Sequence, residues 1–79
     1  MEYNDAFEKV VAGLRTLVPN AQNLTDETQI VDDLGLDSLQ VMELVMEVED
    51  QLDISIPVNL LSEIHTIGQF ARELTGLVE

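Results

Sequence analysis

The stretch that decides the fold is DDLGLDSLQVMELVMEVEDQL, residues 32–52, in which a glycine turn is followed directly by a periodic segment. Asp37 is a good N-cap because its carboxylate can accept hydrogen bonds from free backbone N–H groups, and Gln40 three residues later nearly completes a capping box. Gly35 supplies the backbone freedom needed before the helix begins. The pattern predicts a helix from Ser38 to about Leu52. The Ser38 hydroxyl then lies near the positive end of the helix dipole, which favours phosphate groups.

The predicted helix has three faces. At 100° per residue, a core-facing stripe of ordinary width contains Val41, Leu44, Val45, Val48 and Leu52. The opposite face is polar and contains Gln40, Glu43, Glu47, Asp50 and Gln51. A third, apolar group lies beside the acids and contains Leu39, Met42 and Met46. These three residues either belong to the core or form an exposed strip for partners. Methionine suits surfaces that fit several partners, which favours the partner interpretation for Leu39 and Met46 and leaves Met42 open.

Two further helices are predicted on either side of this stretch. The first runs from about Asn4 to Leu17, with Asn4 or Asp5 as its cap. Its apolar residues recur at three- and four-residue spacing: Ala6, Phe7, Val10, Val11, Leu14 and Leu17. The last helix opens with a capping box at Thr66–Gln69, runs through Leu74 and is followed by Gly76 as the C-terminal glycine. Its buried face is predicted to be Ile67, Phe70, Ala71 and Leu74.

The segments between the helices carry turn formers and no helical period. Residues 19–37 form a long loop with apolar anchors at Leu24, Ile30, Leu34 and Leu36. A loop of this length is unusual in a compact domain unless it delivers a site, and this one leads to Ser38. Residues 53–57 are predicted to be an extended connector with Ile54 and Ile56 turned inward. Residues 58–64 are predicted to form a short helical turn.

The composition limits the function. The chain has 79 residues, enough for one domain, and no cysteine, so any thiol chemistry must come from an attached group. Its net charge of −13 repels nucleic acid and anionic membranes and attracts proteins with basic patches, although the acidity could instead serve only solubility. No run is long enough to span a bilayer and no signal pattern opens the chain, which predicts a cytoplasmic location.

Two further kinds of site are disfavoured by the sequence. The acidic residues of the loop do not follow the EF-hand spacing, so no dedicated metal site is predicted. His65 is the only histidine. A catalytic role would need a nucleophile and an orienting group, and a lone histidine at a helix junction is more often structural or part of a partner surface.

The residues Leu34–Leu39, LGLDSL, followed by Glu43-Leu44, resemble the phosphopantetheine attachment site of acyl and peptidyl carrier proteins, and the resemblance covers nearly the whole chain. It implies an all-α fold over residues 1–79 as a single carrier domain. That fold is a small right-turning four-helix bundle, with three main helices plus one short helix and a long loop between helices 1 and 2. It also implies a monomeric carrier that is not itself an enzyme.

The same resemblance assigns roles to individual residues. Ser38 would be the attachment site of a 4′-phosphopantetheine arm, transferred from coenzyme A by a phosphopantetheinyl transferase. Asp37 would cap the helix and contact the transferase. Enzymes of acyl-chain synthesis, or ligases, would dock against the second helix through basic patches of their own. The residues expected to contact partners are Leu39, Met42, Glu43, Met46, Glu47 and Asp50.

Several functions remain open from the sequence. The first is a free-standing acyl carrier protein of fatty-acid or related, polyketide-like, biosynthesis; a specialised aminoacyl or peptidyl carrier and an unmodified acidic adaptor are the alternatives. A Ser38 nucleophile lacks a nearby base and the glycines of a nucleophile elbow. The chain also departs from the housekeeping fatty-acid type, which has an acid where this chain has Gln40 and an acid-rich third helix in place of Val58–Ser62. The large residue Leu36 directly before Asp37 is instead similar to what carriers of polyketide and nonribosomal peptide pathways have at this position. The identity of the cargo therefore stays open.

Overall fold

Three α-helices and one short 3₁₀ helix make up the fold in the computed structural model, which describes residues 1–78. The elements in chain order are α1 (Tyr3–Leu17), α2 (Ser38–Leu52), a 3₁₀ helix (Val58–Ser62) and α3 (Ile67–Leu77). Across the described residues, extended pairing is limited to one isolated antiparallel bridge between Gln29 and Thr66. No helix within that range is both long and apolar enough to cross a membrane. The predicted all-α architecture, with a long loop between the first two main helices, is confirmed.

The core lies where α1 packs against both α2 and α3. The predicted apolar faces supply it: Ala6, Val10 and Leu14 of α1 are fully buried. The predicted stripe of α2 is buried at its centre, and its two ends are half-buried. The four predicted core residues of α3 are all at most 1% exposed: Ile67, Phe70, Ala71 and Leu74. Burying one such Leu, Ile or Phe side chain contributes about 1.5–3 kcal/mol, so this apolar centre holds the bundle together.

The long loop is attached to the core and to the start of α3. Two of its predicted anchors, Ile30 and Leu36, are buried, and the other two are half-buried. Its backbone also pairs with residues 65–68: the Gly68 N–H donates to the Asp26 carbonyl at 2.9 Å, the Ile67 N–H to Thr28 at 3.1 Å, and the Ile30 N–H to the His65 carbonyl at 2.9 Å. We call this pairing of residues 26–30 with residues 65–68 the clasp. It fixes the loop that leads to Ser38.

The start of α1 differs from the prediction. The N-cap is Glu2, which makes no side-chain capping bond, so the predicted caps Asn4 and Asp5 are wrong and both residues lie within the helix. A tertiary contact explains the earlier start. The Tyr3 ring stacks on Phe7 with centroids 6.4 Å apart. The Tyr3 hydroxyl also donates to a carboxylate oxygen of Asp26 on the loop. These contacts stabilise Tyr3 in the first turn of the helix, and a search for capping residues in the sequence does not detect them.

The end of α3 also differs. The helix continues past the predicted end at Leu74 to Leu77, with Val78 as its C-cap. Gly76 therefore lies inside the helix, and the prediction that it follows the C-terminus is wrong. Among the described glycines only Gly35 has a positive φ. The extra turn is favoured because Leu77 packs against the core cluster.

Candidate functional site

The N-terminus of α2 is built by the predicted capping box. The Asp37 carboxylate accepts the Gln40 backbone N–H at 2.8 Å, and the Gln40 side-chain oxygen accepts the Asp37 backbone N–H at 3.2 Å. These reciprocal bonds satisfy backbone donors that the first turn would otherwise leave free. They fix the backbone on both sides of Ser38, which is the first helical residue and is exposed.

The glycine turn before the helix determines which residues face inward. Gly35 has φ of +69°. Its N–H donates to the Val31 carbonyl at 2.8 Å. A left-handed conformation at this point suits glycine because it lacks a Cβ. The turn buries Leu36, which is 3% exposed. With Leu36 anchored in the core, Asp37 and Ser38 are left on the surface.

Ser38 borders a cleft of about 590 Å³ between the first turns of α2 and the segment before α3. The cleft is lined by Val31, Leu36, Asp37, Ser38, Val41, Met42, Leu61, Ser62, Ile64 and His65. Most of these side chains are apolar. Of the sequence-predicted site residues, the cleft therefore brings together Asp37, Ser38 and Met42.

The second wall of the cleft, residues 61–65, was not predicted from the sequence as part of the site. His65 lies at its end, and its backbone is held on both sides. Its N–H donates to the side-chain oxygen of Gln69 at 2.9 Å, and its carbonyl accepts the Ile30 N–H at 2.9 Å. The Ser62 hydroxyl donates to the Asn59 carbonyl at 3.0 Å. The only local signal for this wall was a lone histidine directly before a capping box, and that pattern does not indicate a cleft.

The three residues of the third face of α2 are exposed. Leu39 is 68% exposed, Met46 60% and Met42 39%. These values exclude burial in the core for all three, including Met42, for which the sequence left both possibilities open, and contact with partners stays a prediction. The structure does not keep them together, however. Met42 lines the cleft, and Leu39 lines neither the cleft nor the groove described next.

Met46 lies in a separate groove of about 290 Å³ where α2 meets the end of α1. Its apolar part is Met46 and Leu17, and its rim carries the carboxylates of Glu43, Glu47 and Asp50. We call this the acidic groove. Four of the residues predicted to contact partners therefore share one surface feature with Leu17, a residue that the sequence indicated only as core.

The site region is strongly acidic. The chain contains no Lys or Arg between Arg15 and Arg72. An activated serine requires a base within hydrogen-bond reach and a group that orients the base. Within residues 1–78 the structure shows no hydrogen bond from the Ser38 hydroxyl to the His65 ring. The Ser38 residue is exposed to solvent at the start of α2.

The chain is similar to a known protein family and to individual known proteins. Residues 8–74 match the family model described as the phosphopantetheine attachment site, from the second turn of α1 to the last turns of α3. A relative named "Acyl carrier protein", from Wolinella succinogenes, is 39% identical over 70 residues, which make up 89% of this chain and 88% of the relative.

Proposed function

Because this chain belongs to the acyl carrier protein family, whose members are carriers rather than enzymes, we propose that it carries acyl groups as thioesters on a 4′-phosphopantetheine arm attached to Ser38. The arm supplies the thiol that the chain lacks, since the sequence contains no cysteine. The proposed unit is a single carrier domain over residues 1–79 that acts as a monomer.

The observation that carries the proposal is the placement of the Ser38 hydroxyl. It lies on the exposed first turn of α2, next to an Asp37 carboxylate that is already engaged by the Gln40 N–H. The free N–H groups and the dipole of a helix N-terminus favour the negative charge of a phosphodiester at this point. The Asp37 carboxylate remains exposed on its other side, where a transferase can contact it.

The cleft beside Ser38 fits an arm with an apolar cargo. Its walls near the serine are formed by Val41 and Met42 of α2, facing Leu61 and Ile64 of the opposite wall. Burying the hydrocarbon part of an acyl group against apolar side chains is favourable by roughly 25 cal/mol for each Å² of apolar surface removed from water. This lining favours an aliphatic acyl group over a polar aminoacyl group. We therefore place the carrier in fatty-acid or related acyl-chain synthesis.

The proposed docking surface is α2. The transferase and the acyl-chain enzymes would place Lys or Arg side chains against Glu43, Glu47 and Asp50, and an apolar side chain against Met46 in the acidic groove. Leu39 and Met42 extend this surface toward Ser38. Charge complementarity of this kind accelerates association, whereas desolvated apolar contacts set the residence time.

Intact-mass measurement tests the attachment site. The wild-type protein, incubated with a broad-specificity transferase and coenzyme A, should gain the mass of one phosphopantetheine. Ser38→Ala should keep its helical circular dichroism spectrum and gain nothing. Ser62→Ala removes a hydroxyl from the same cleft and is the matched control, which should gain mass as the wild type does.

Two outcomes would contradict the proposal. Loading of Ser38→Ala would move the arm to another serine. A wild-type chain that is never loaded would favour the alternative function, an acidic adaptor that acts without modification.

A further inference from the structure

His65 is the only side chain lining the cleft that can become positively charged. The other titratable side chain in the lining is Asp37, at the N-terminus of α2. The loop and the segment that carries His65 also contain acidic residues, and the basic residue of α3, Arg72, lies seven residues further along the chain. The loop contributes Asp33, whose carboxylate accepts the Gln29 N–H at 2.8 Å, and the segment of His65 itself contributes Glu63.

The backbone of His65 is fixed relative to Ser38. The N–H of His65 is bound by Gln69, the residue that also caps α3, and its carbonyl is bound by Ile30 in the clasp. The same loop then continues through Leu36, which is buried in the core, to the serine. The wall that carries the imidazole and the turn that carries the hydroxyl are therefore connected through a few hydrogen bonds and one buried anchor. The imidazole itself is free to bind, since His65 is exposed.

Attachment of the arm adds a phosphodiester anion beside Asp37. We propose that protonated His65 binds this phosphodiester, so that the arm is held across the cleft at mildly acidic pH and released as the imidazole loses its proton. This inference rests on the proposed attachment at Ser38. Histidine is suited to the role because its ordinary titration range lies close to physiological pH. His65 acts here as a positioning residue and takes no part in bond making.

NMR titration of the imidazole tests the inference directly, because the chain contains one histidine and its ring-proton signals need no further assignment. The protein is prepared without the arm and then loaded with coenzyme A and a transferase, with loading verified by intact mass. Loading should raise the titration midpoint of the His65 ring protons by about half a pH unit, since a nearby anion favours the charged imidazole. The ³¹P resonance of the arm should change with the same midpoint, because a phosphodiester does not itself titrate near neutral pH.

Two variants make the test specific. His65→Gln should load normally and lose the pH dependence of the ³¹P resonance. Glu63→Gln removes a carboxylate from the same segment without touching the cleft, so the midpoint difference between the loaded and unloaded forms should persist.

The two proposals fail in distinguishable ways. If the protein gains the arm but the His65 midpoint and the ³¹P resonance are indifferent to loading and to His65→Gln, the role of His65 is overturned while attachment at Ser38 stands. If Ser38 accepts no arm, both proposals are overturned.

Discussion

Gly68, in the first turn of α3, allows the clasp to form, and replacing it with alanine should destabilise the protein. An added Cβ would lie 2.9 Å from the Asp26 backbone carbonyl oxygen, 3.0 Å from the Tyr3 hydroxyl oxygen and 3.1 Å from the Asp26 Cβ. The first of these contacts is shorter than a methyl group tolerates, and it is made with backbone. The Asp26 carbonyl cannot withdraw without lengthening the 2.9 Å hydrogen bond that it accepts from the Gly68 N–H.

Three contributions set the size of the effect. Overpacking of this kind costs about 1–3 kcal/mol. Weakening the hydrogen bond between Gly68 and Asp26 costs about 1 kcal/mol more. The greater helix propensity of alanine offsets about 1 kcal/mol of this total. Gly68→Ala should therefore lower the free energy of unfolding by about 1–3 kcal/mol. The long loop between α1 and α2 should detach from the start of α3 before the helices unfold.

Gly76 provides a matched control in the same helix. An added Cβ there meets nothing within 4 Å. Gly76→Ala should accordingly stabilise the protein by about 0.5–1 kcal/mol through helix propensity alone. In urea unfolding followed by far-ultraviolet circular dichroism, with a slope near 1 kcal/mol per M, the two variants should shift the midpoint in opposite directions, Gly68→Ala downward by about 1 M or more. If Gly68→Ala stabilises the protein as Gly76→Ala does, the close approach at the clasp is not a constraint and the reasoning is refuted.

Three more predictions concern charge and docking. The thermal midpoint should rise with added salt, because salt screens the repulsion behind the net charge of −13, and a flat or falling midpoint would contradict this. The hydrogen bond to Asp26 raises the pKa of Tyr3 above 10.0, so the stability from this pair should be complete below that pH and be lost as pH rises through the folded pKa. Since Tyr3 is the only tyrosine, tyrosinate absorbance measures this titration directly, and Asp26→Asn should return it toward the ordinary value. Finally, Glu47→Lys should slow association with the transferase and flatten its salt dependence. Met46→Ala should instead speed dissociation and cost well under the roughly 2–5 kcal/mol of a buried methionine, since Met46 is 60% exposed; a large stability loss with normal binding would place it in the core.

Local signals in the sequence determined the structure of the N-terminus of α2, where Ser38 lies. Both predicted capping boxes formed, at Asp37 with Gln40 and at Thr66 with Gln69. The glycine turn adopted the left-handed conformation expected of it, and the apolar stripes of the helices became the core. Each of these features depends on residues one to four positions apart, so the atoms that interact are brought together by the backbone itself. For this reason the exposed place of Ser38 could be predicted without the rest of the fold.

The tertiary structure alone decided what surrounds Ser38. The clasp joins residues 26–30 to residues 65–68, and the cleft joins α2 to a wall some twenty residues further along the chain. The same kind of contact overrode local signals at the helix ends, where Tyr3 is held by Asp26 and Leu77 by the core. None of these pairs has a spacing that a periodic pattern can express. They form only when packing of the apolar stripes has brought distant segments together, and so the role of His65 becomes visible only in the folded chain.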